Sequence, residues 1–148
     1  MKARMSEKTA TSRLKKAGLE VTDHRVQVLM AIGNTTRPSS ASEILEKISA
    51  KKDINRVTVY RILDLLVEHQ VLNRLGLGEK SQRFCLRSAK EDEHPHFHCT
   101  RCDSYLCLSV PDLPLDRSAL DGLCLDIRHV DIRLEGICPA CQDKADPS

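Results

Sequence analysis

The feature that most restricts how this chain can fold is a pair of Cys-x-x-Cys motifs, Cys99-Thr-Arg-Cys102 and Cys138-Pro-Ala-Cys141, with 35 residues between them. Each motif can form a thiolate knuckle, and two knuckles complete the tetrahedral all-sulfur shell that structural Zn²⁺ prefers. The separation exceeds that of an ordinary zinc ribbon, so the knuckles are expected to tie opposite ends of a small sheet. Strand-like Leu123 to Ile127 and Val130 to Leu134 fit between them. Cys124, inside the first of these segments, reads as a small core residue rather than a ligand. A redox dithiol is the other reading of either motif taken alone.

Such a staple matters because little else is available to build a core. The chain has 148 residues, 3% aromatic residues and no Trp, so its core must rest on Leu, Ile and Val with help from metal. That excludes a large single-core enzyme. No apolar run approaches the roughly 20 residues of a membrane span, and Met1 to Arg13 lacks the apolar segment of a secretory signal. A cytoplasmic location is therefore expected, where clustered cysteines read as ligands or reactive thiols rather than disulfides.

Charge divides the chain in two. Residues 1–90 carry 18 Lys and Arg against 9 Asp and Glu, a net of +9, whereas residues 91–148 carry 5 against 12, a net of −7. All seven Cys and five of the six His lie from His69 onward. A boundary near Ala89 to Glu93 follows, giving domains 1–89 and 90–148.

The basic part reads as four short helices and a hairpin. Ser6 to Ala17 forms the first with Gly18 at its C-terminal cap, and Thr22 caps a second running to about Ile32. Ser40 with Glu43 makes a capping box before Ile44, Leu45 and Ile48. Asn55 caps the fourth, where Val59, Ile62, Leu63, Leu66 and Val67 form one buried stripe. Val71 to Leu75 and Gln82 to Leu86 flank a glycine-bearing turn, a two-stranded wing. A winged helix-turn-helix whose fourth helix enters the major groove of double-stranded DNA is the natural reading. Arg56, Thr58, Tyr60 and Arg61 are then candidates for base and phosphate contacts, with Arg74, Lys80 and Arg83 on the wing. A solvated basic face is the alternative.

A second donor set remains in Cys85, His94, His96 and Cys107. Two thiolates and two imidazoles suit Zn²⁺ better than iron or magnesium, although Cys85 and Cys107 as small core residues beside solvated histidines fit the same pattern. Asp92, Glu93 and His98 are spare donors nearby. His24, His69 and His129 stand apart. An enzyme would need an open metal position and a general base, and the His-x-Glu with Pro-Cys-x-x-Cys of zinc deaminases is absent.

Five stretches together resemble the ferric uptake regulator family over nearly the whole chain: Lys16-Ala17-Gly18-Leu19 with Thr22-Asp-His-Arg25; Ala41-Ser-Glu43-Ile44; Val57-Thr-Val-Tyr60-Arg61; the His94 to His98 cluster before Cys99; and Gly136-Ile-Cys138-Pro-Ala-Cys141. The resemblance implies an α+β chain with an N-terminal winged-helix DNA-binding domain. It also implies a small C-terminal α/β dimerisation domain, a four-cysteine structural zinc site and a regulatory metal site near the hinge. It puts Tyr60 and Arg61 on the DNA-reading helix and Arg25 at another DNA-facing position. Cys85 and Cys107 stand where iron-sensing members use carboxylates, which points to the zinc uptake branch. Pro95, and Val130 with His129 beside it, replace usual ligands of a third site. Asn73 lies where some zinc sensors place a hinge ligand.

The expectation is a zinc-responsive repressor with about two Zn²⁺ per protomer, one structural and one regulatory. Metal clamps the hinge, and the homodimer then matches a palindromic operator of zinc uptake genes. No membrane or small-molecule substrate is expected. An iron, nickel or peroxide sensor of the same family is one alternative, and a constitutive winged-helix assembly module of the transcription machinery is the other.

Overall fold

Capped helices account for most of the N-terminal half in the computed structural model, which describes residues 4–76, 82–87, 94–108, 118–127 and 132–144. The chain divides into two compact units, Met1–Arg87 and Ser88–Ser148. In the first, α1 spans Glu7–Lys16 and starts where the Thr9 amide donates to Ser6 Oγ at 3.2 Å. It stops at Gly18, whose φ of +74° lets the Leu19 amide reach back to the Leu14 carbonyl at 2.9 Å, the Schellman arrangement. Helix α2, Asp23–Gly33, is capped by Thr22. A two-residue strand β1, Ser39–Ser40, leads into α3, Ala41–Ser49, whose capping box joins the Glu43 amide to Ser40 Oγ and the Ser40 amide to Glu43 Oε2.

Helix α4, Arg56–Glu68, begins with the Thr58 amide donating to Asn55 Oδ1 at 2.8 Å. Val59, Ile62, Leu63 and Leu66 are buried along one stripe, as the apolar period requires. They join Leu14, Leu29, Ile44 and Phe84 in one core. Gln70 then takes the left-handed conformation, φ +60°, where α1 has a glycine. Strands β2, Leu72–Leu75, and β3, Arg83–Leu86, pair antiparallel, and β1 adds to the far edge of β3 to give the order β1-β3-β2.

The second unit holds β4, His96–Cys99; β5, Tyr105–Cys107; α5, Ser118–Asp121; β6, Arg133–Gly136; and α6, Pro139–Gln142. Its sheet has the order β5-β4-β6, with β4 antiparallel to β5 and parallel to β6. Buried Cys99, Cys138 and Cys141, with Phe97 and Ile137 against them, pack into one cluster at the ends of β4 and β6. Thiols here stand where a larger domain would place Leu or Phe.

Two expectations are corrected. Leu123 to Ile127 is irregular rather than a strand, because within this chain's described residues no neighbouring strand pairs with it. Cys124 is exposed, with φ +53°, and is no core residue. The last expected strand is present from Arg133, and its start at Val130 lies outside the described residues. No helix among the described residues is long and apolar enough to cross a membrane.

Candidate metal centre and nucleic-acid interface

The parallel pairing of β4 with β6 sets Cys99 opposite Gly136, and so brings the end of one strand beside the start of the second knuckle. The chain turns after Cys102 through Asp103, φ +61°, whose amide donates to the Cys99 carbonyl at 2.9 Å. Cys138 occupies the N-cap of α6, and Pro139 at the first helical position costs no hydrogen bond. The result is four sulfurs, from Cys99, Cys102, Cys138 and Cys141, all within 4.8 Å of one another. Cys102 is exposed and the other three are buried.

Backbone amides aim at this cluster. The Cys138 amide donates to Cys99 Sγ at 3.3 Å. Amides of Cys102, Cys138 and Arg101 hold the Cys99 thiol down to about 6, with the Cys102 amide contributing most. The Ser104 hydroxyl, 3.0 Å from Cys102 Sγ, and then its amide lower that thiol too. Burial, followed by the neighbouring sulfurs, pushes Cys141 up to about 12. Four converging sulfurs cannot all ionise together without a cation between them, and amide donors to sulfur are the environment a bound thiolate needs. The residues present fit a tetrahedral metal ion.

In the same unit His96 and Cys107 face each other across β4 and β5. The ring of His94 lies 4.4 Å from that of His96, centroid to centroid. The donor atoms of His94, His96 and Cys107 lie within 4.8 Å of one another. Cys85, buried on β3 of the first unit, pairs across the hairpin with Asn73, whose Nδ2 approaches its sulfur at 3.9 Å. His98 shares a sheet face with His96, but its nitrogens meet Asp103 and Arg133. That network, and strands β4 and β5 themselves, were not anticipated from sequence; the alternation of His96, Phe97 and His98 was the available signal. Asp92, Glu93 and His129 lie outside the described residues.

On α4, Arg56, Val57, Tyr60 and Arg61 are exposed, opposite the buried stripe. The Arg56 guanidinium lies 5.8 Å from the Tyr60 ring centroid. The Thr58 hydroxyl donates to Asn55 Oδ1 at 3.0 Å and so belongs to the cap. Arg25 donates to the Glu20 carbonyl at 2.7 Å. The wing arginines are held by carboxylates of the helices: Arg74 by Asp64, and Arg83 by both oxygens of Glu43 at 3.1 and 3.2 Å. Lys80 lies outside the described residues.

Residues 16–113 match the Ferric uptake regulator family. The peroxide-responsive repressor PerR of Staphylococcus aureus is 27% identical over 135 residues, which cover 88% of this chain and 88% of its own. The ferric uptake regulator of Helicobacter pylori, a protein with three functional metal-binding sites, superposes with a TM-score of 0.74 at 22% identity, covering 99% of this chain and 100% of that one. A zinc uptake regulator complexed with zinc and DNA superposes with a TM-score of 0.64 at 22% identity and 92% coverage of both chains.

Proposed function

This chain belongs to the ferric uptake regulator family, whose members are metal-responsive DNA-binding transcription regulators and not enzymes, and we propose that within it the protein is a cytoplasmic zinc-responsive repressor of zinc uptake genes. The observation that carries the choice of metal is the convergence of His94, His96 and Cys107. Imidazole with thiolate is a borderline-soft donor set, favouring Zn²⁺ over the oxygen-rich sites of iron or manganese. Cys85 supplies a second thiolate in this reading.

Zinc, when bound, supplies a redox-inert cross-link between its ligands. Cys99, Cys102, Cys138 and Cys141 would hold one ion permanently, since a closed four-sulfur shell is coupled to folding. His94, His96, Cys107 and Cys85 would hold the exchangeable one. On the DNA side, Arg61, Tyr60 and Arg56 reach base edges and phosphates from α4, with Arg25 and Lys80 on the backbone. Thr58 fixes the helix start. Exposed Leu123, Leu125, Ile127 and Leu134 on the C-terminal unit support a homodimer, because a protein in water covers such a surface with a partner. Two reading helices related by a two-fold axis suit a palindromic operator.

Operator-binding titrations at buffered free zinc, with metal analysis before and after mild chelation, test this reading. The expected result is about two Zn²⁺ per protomer, one resisting chelation and one whose removal releases DNA. Cys107→Ser should keep the first and lose the second. A single metal per protomer at saturating zinc would remove the sensing hypothesis. The likeness to PerR favours a second reading as a peroxide sensor, in which peroxide treatment of the metal-loaded dimer, rather than zinc removal, abolishes operator binding.

A further inference from the structure

His98 stands on β4 between His96 of one donor set and Cys99 of the other. Its side chain is only 10% exposed. Nε2 lies 2.6 Å from Asp103 Oδ1, and Nδ1 lies 3.0 Å from Arg133 Nη2. A carboxylate can only accept, so Nε2 donates to Asp103, while Nδ1 lies between the Arg133 guanidinium and Glu135 Oε1, 3.5 Å away. The same Arg133 nitrogen donates to Glu135 Oε1 at 2.5 Å. The imidazole stacks on Tyr105, with centroids 4.5 Å apart and planes 24° from parallel.

The places of these partners give the ring its meaning. Asp103 directly follows Cys102 and makes the left-handed turn that closes the first knuckle, a conformation disfavoured for a residue with a side chain. Arg133 and Glu135 stand on β6, where Glu135 pairs with His98 and Gly136 with Cys99. Three residues beyond Glu135 comes Cys138. One buried imidazole therefore joins the turn that ends the first knuckle to the strand that delivers the second.

We propose that His98 is a positioning residue for the four-cysteine cluster: it sets the separation of the two knuckles through Asp103 on one side and the Arg133–Glu135 pair on the other, and is not itself a ligand. Its place in a His-x-His-x-His run invites a ligand role, but both nitrogens are committed within the protein. Removing either bond frees the turn or the strand and lets the thiol shell open.

The test uses the full-length zinc-loaded protein. Mild chelation first strips exchangeable metal, and transfer of the remaining zinc to an excess of strong chelator with a colorimetric reporter is then timed, beside thermal unfolding of the same samples. His98→Phe keeps a ring on Tyr105 and loses both hydrogen bonds; it should release zinc roughly tenfold faster or more, the usual scale for groups that orient ligands. Asp103→Ala should behave alike, whereas Asp103→Asn, which keeps an acceptor for Nε2–H, should stay within about threefold of the parent. Because Ala also strains the turn at φ +61° whereas Gly and Asn do not, Asp103→Gly separates the causes: it should release zinc as fast as Asp103→Ala if the bond to His98 sets the knuckle, and like the parent if only the turn matters. Should His98→Phe not fold, the Asp103 variants carry the test, since that side chain is 61% exposed. Parental release rates in His98→Phe and Asp103→Ala, parental release in Asp103→Gly, or equal acceleration in Asp103→Ala and Asp103→Asn, would overturn the proposal. If the mild step removes no metal, the sensing reading fails while the release rates still decide the role of His98.

Discussion

Raising the pH from 7 to 8 is expected to tighten metal binding at the four-cysteine cluster by about tenfold or more. Ligation requires thiolates, so each thiol that is protonated in the metal-free protein must lose its proton when metal binds. Cys141, pushed up to about 12 by burial and by the sulfurs around it, is protonated throughout the accessible range. It therefore expels one proton per metal and by itself contributes about one decade of affinity per pH unit. Cys99, held at about 6 by amide donors, is already thiolate by about ten to one at pH 7 and adds nothing there. Below about pH 6 it protonates as well and adds to the dependence, so the slope should steepen. The sign is fixed: affinity falls as pH falls, through Cys141 across the whole range and through Cys99 as well below about pH 6. Competition of Co²⁺ between a chelator and the reduced protein, followed by the sulfur-to-cobalt charge-transfer band, measures the slope. A pH indicator in weak buffer counts the protons. Equal affinity at pH 7 and 8, with no proton released, would refute the assignment of Cys141 as a protonated ligand in waiting.

Other consequences are open to direct measurement. Arg61→Ala should weaken specific operator binding by about 1–3 kcal/mol in an anisotropy titration. Arg83→Ala, losing a partly exposed pair with Glu43, should instead lower unfolding stability by about 0.5–1 kcal/mol and leave the salt dependence of DNA binding unchanged; a reduced salt slope would mean that Arg83 leaves Glu43 for phosphate. Gln70→Gly should stabilise the protein by about 0.5–1 kcal/mol in urea titration, because φ is +60° there and only glycine takes that conformation without cost. Leu125→Glu should shift the dimer to monomer in sedimentation, with zinc retained by the four cysteines; an intact dimer would separate Leu125, 65% exposed in the single chain, from the interface.

Local chemistry was legible in the amino-acid sequence by itself. Ser40 with Glu43 and Asn55 start helices where they stand because a side-chain oxygen three residues from an unpaired amide needs no distant partner. The stripe from Val59 to Leu66 and the two Cys-x-x-Cys motifs likewise carry their meaning within a few residues. The tertiary structure decided whatever depends on residues far apart in the chain. Strand β1 is two residues long, too short for any alternation, and exists because β3 offers an edge to it. Arg74 and Arg83 read as wing cations but meet carboxylates 10 and 40 residues away. Leu123, Leu125 and Ile127 alternate as a strand should, yet a strand also needs a hydrogen-bonding neighbour, and the described residues of a single chain provide none. His98 looked like one more metal donor. The parallel register of β4 on β6 places Glu135 opposite it and Arg133 within reach, and sequence carries no signal for that register because both strands are short and their pairing is long-range.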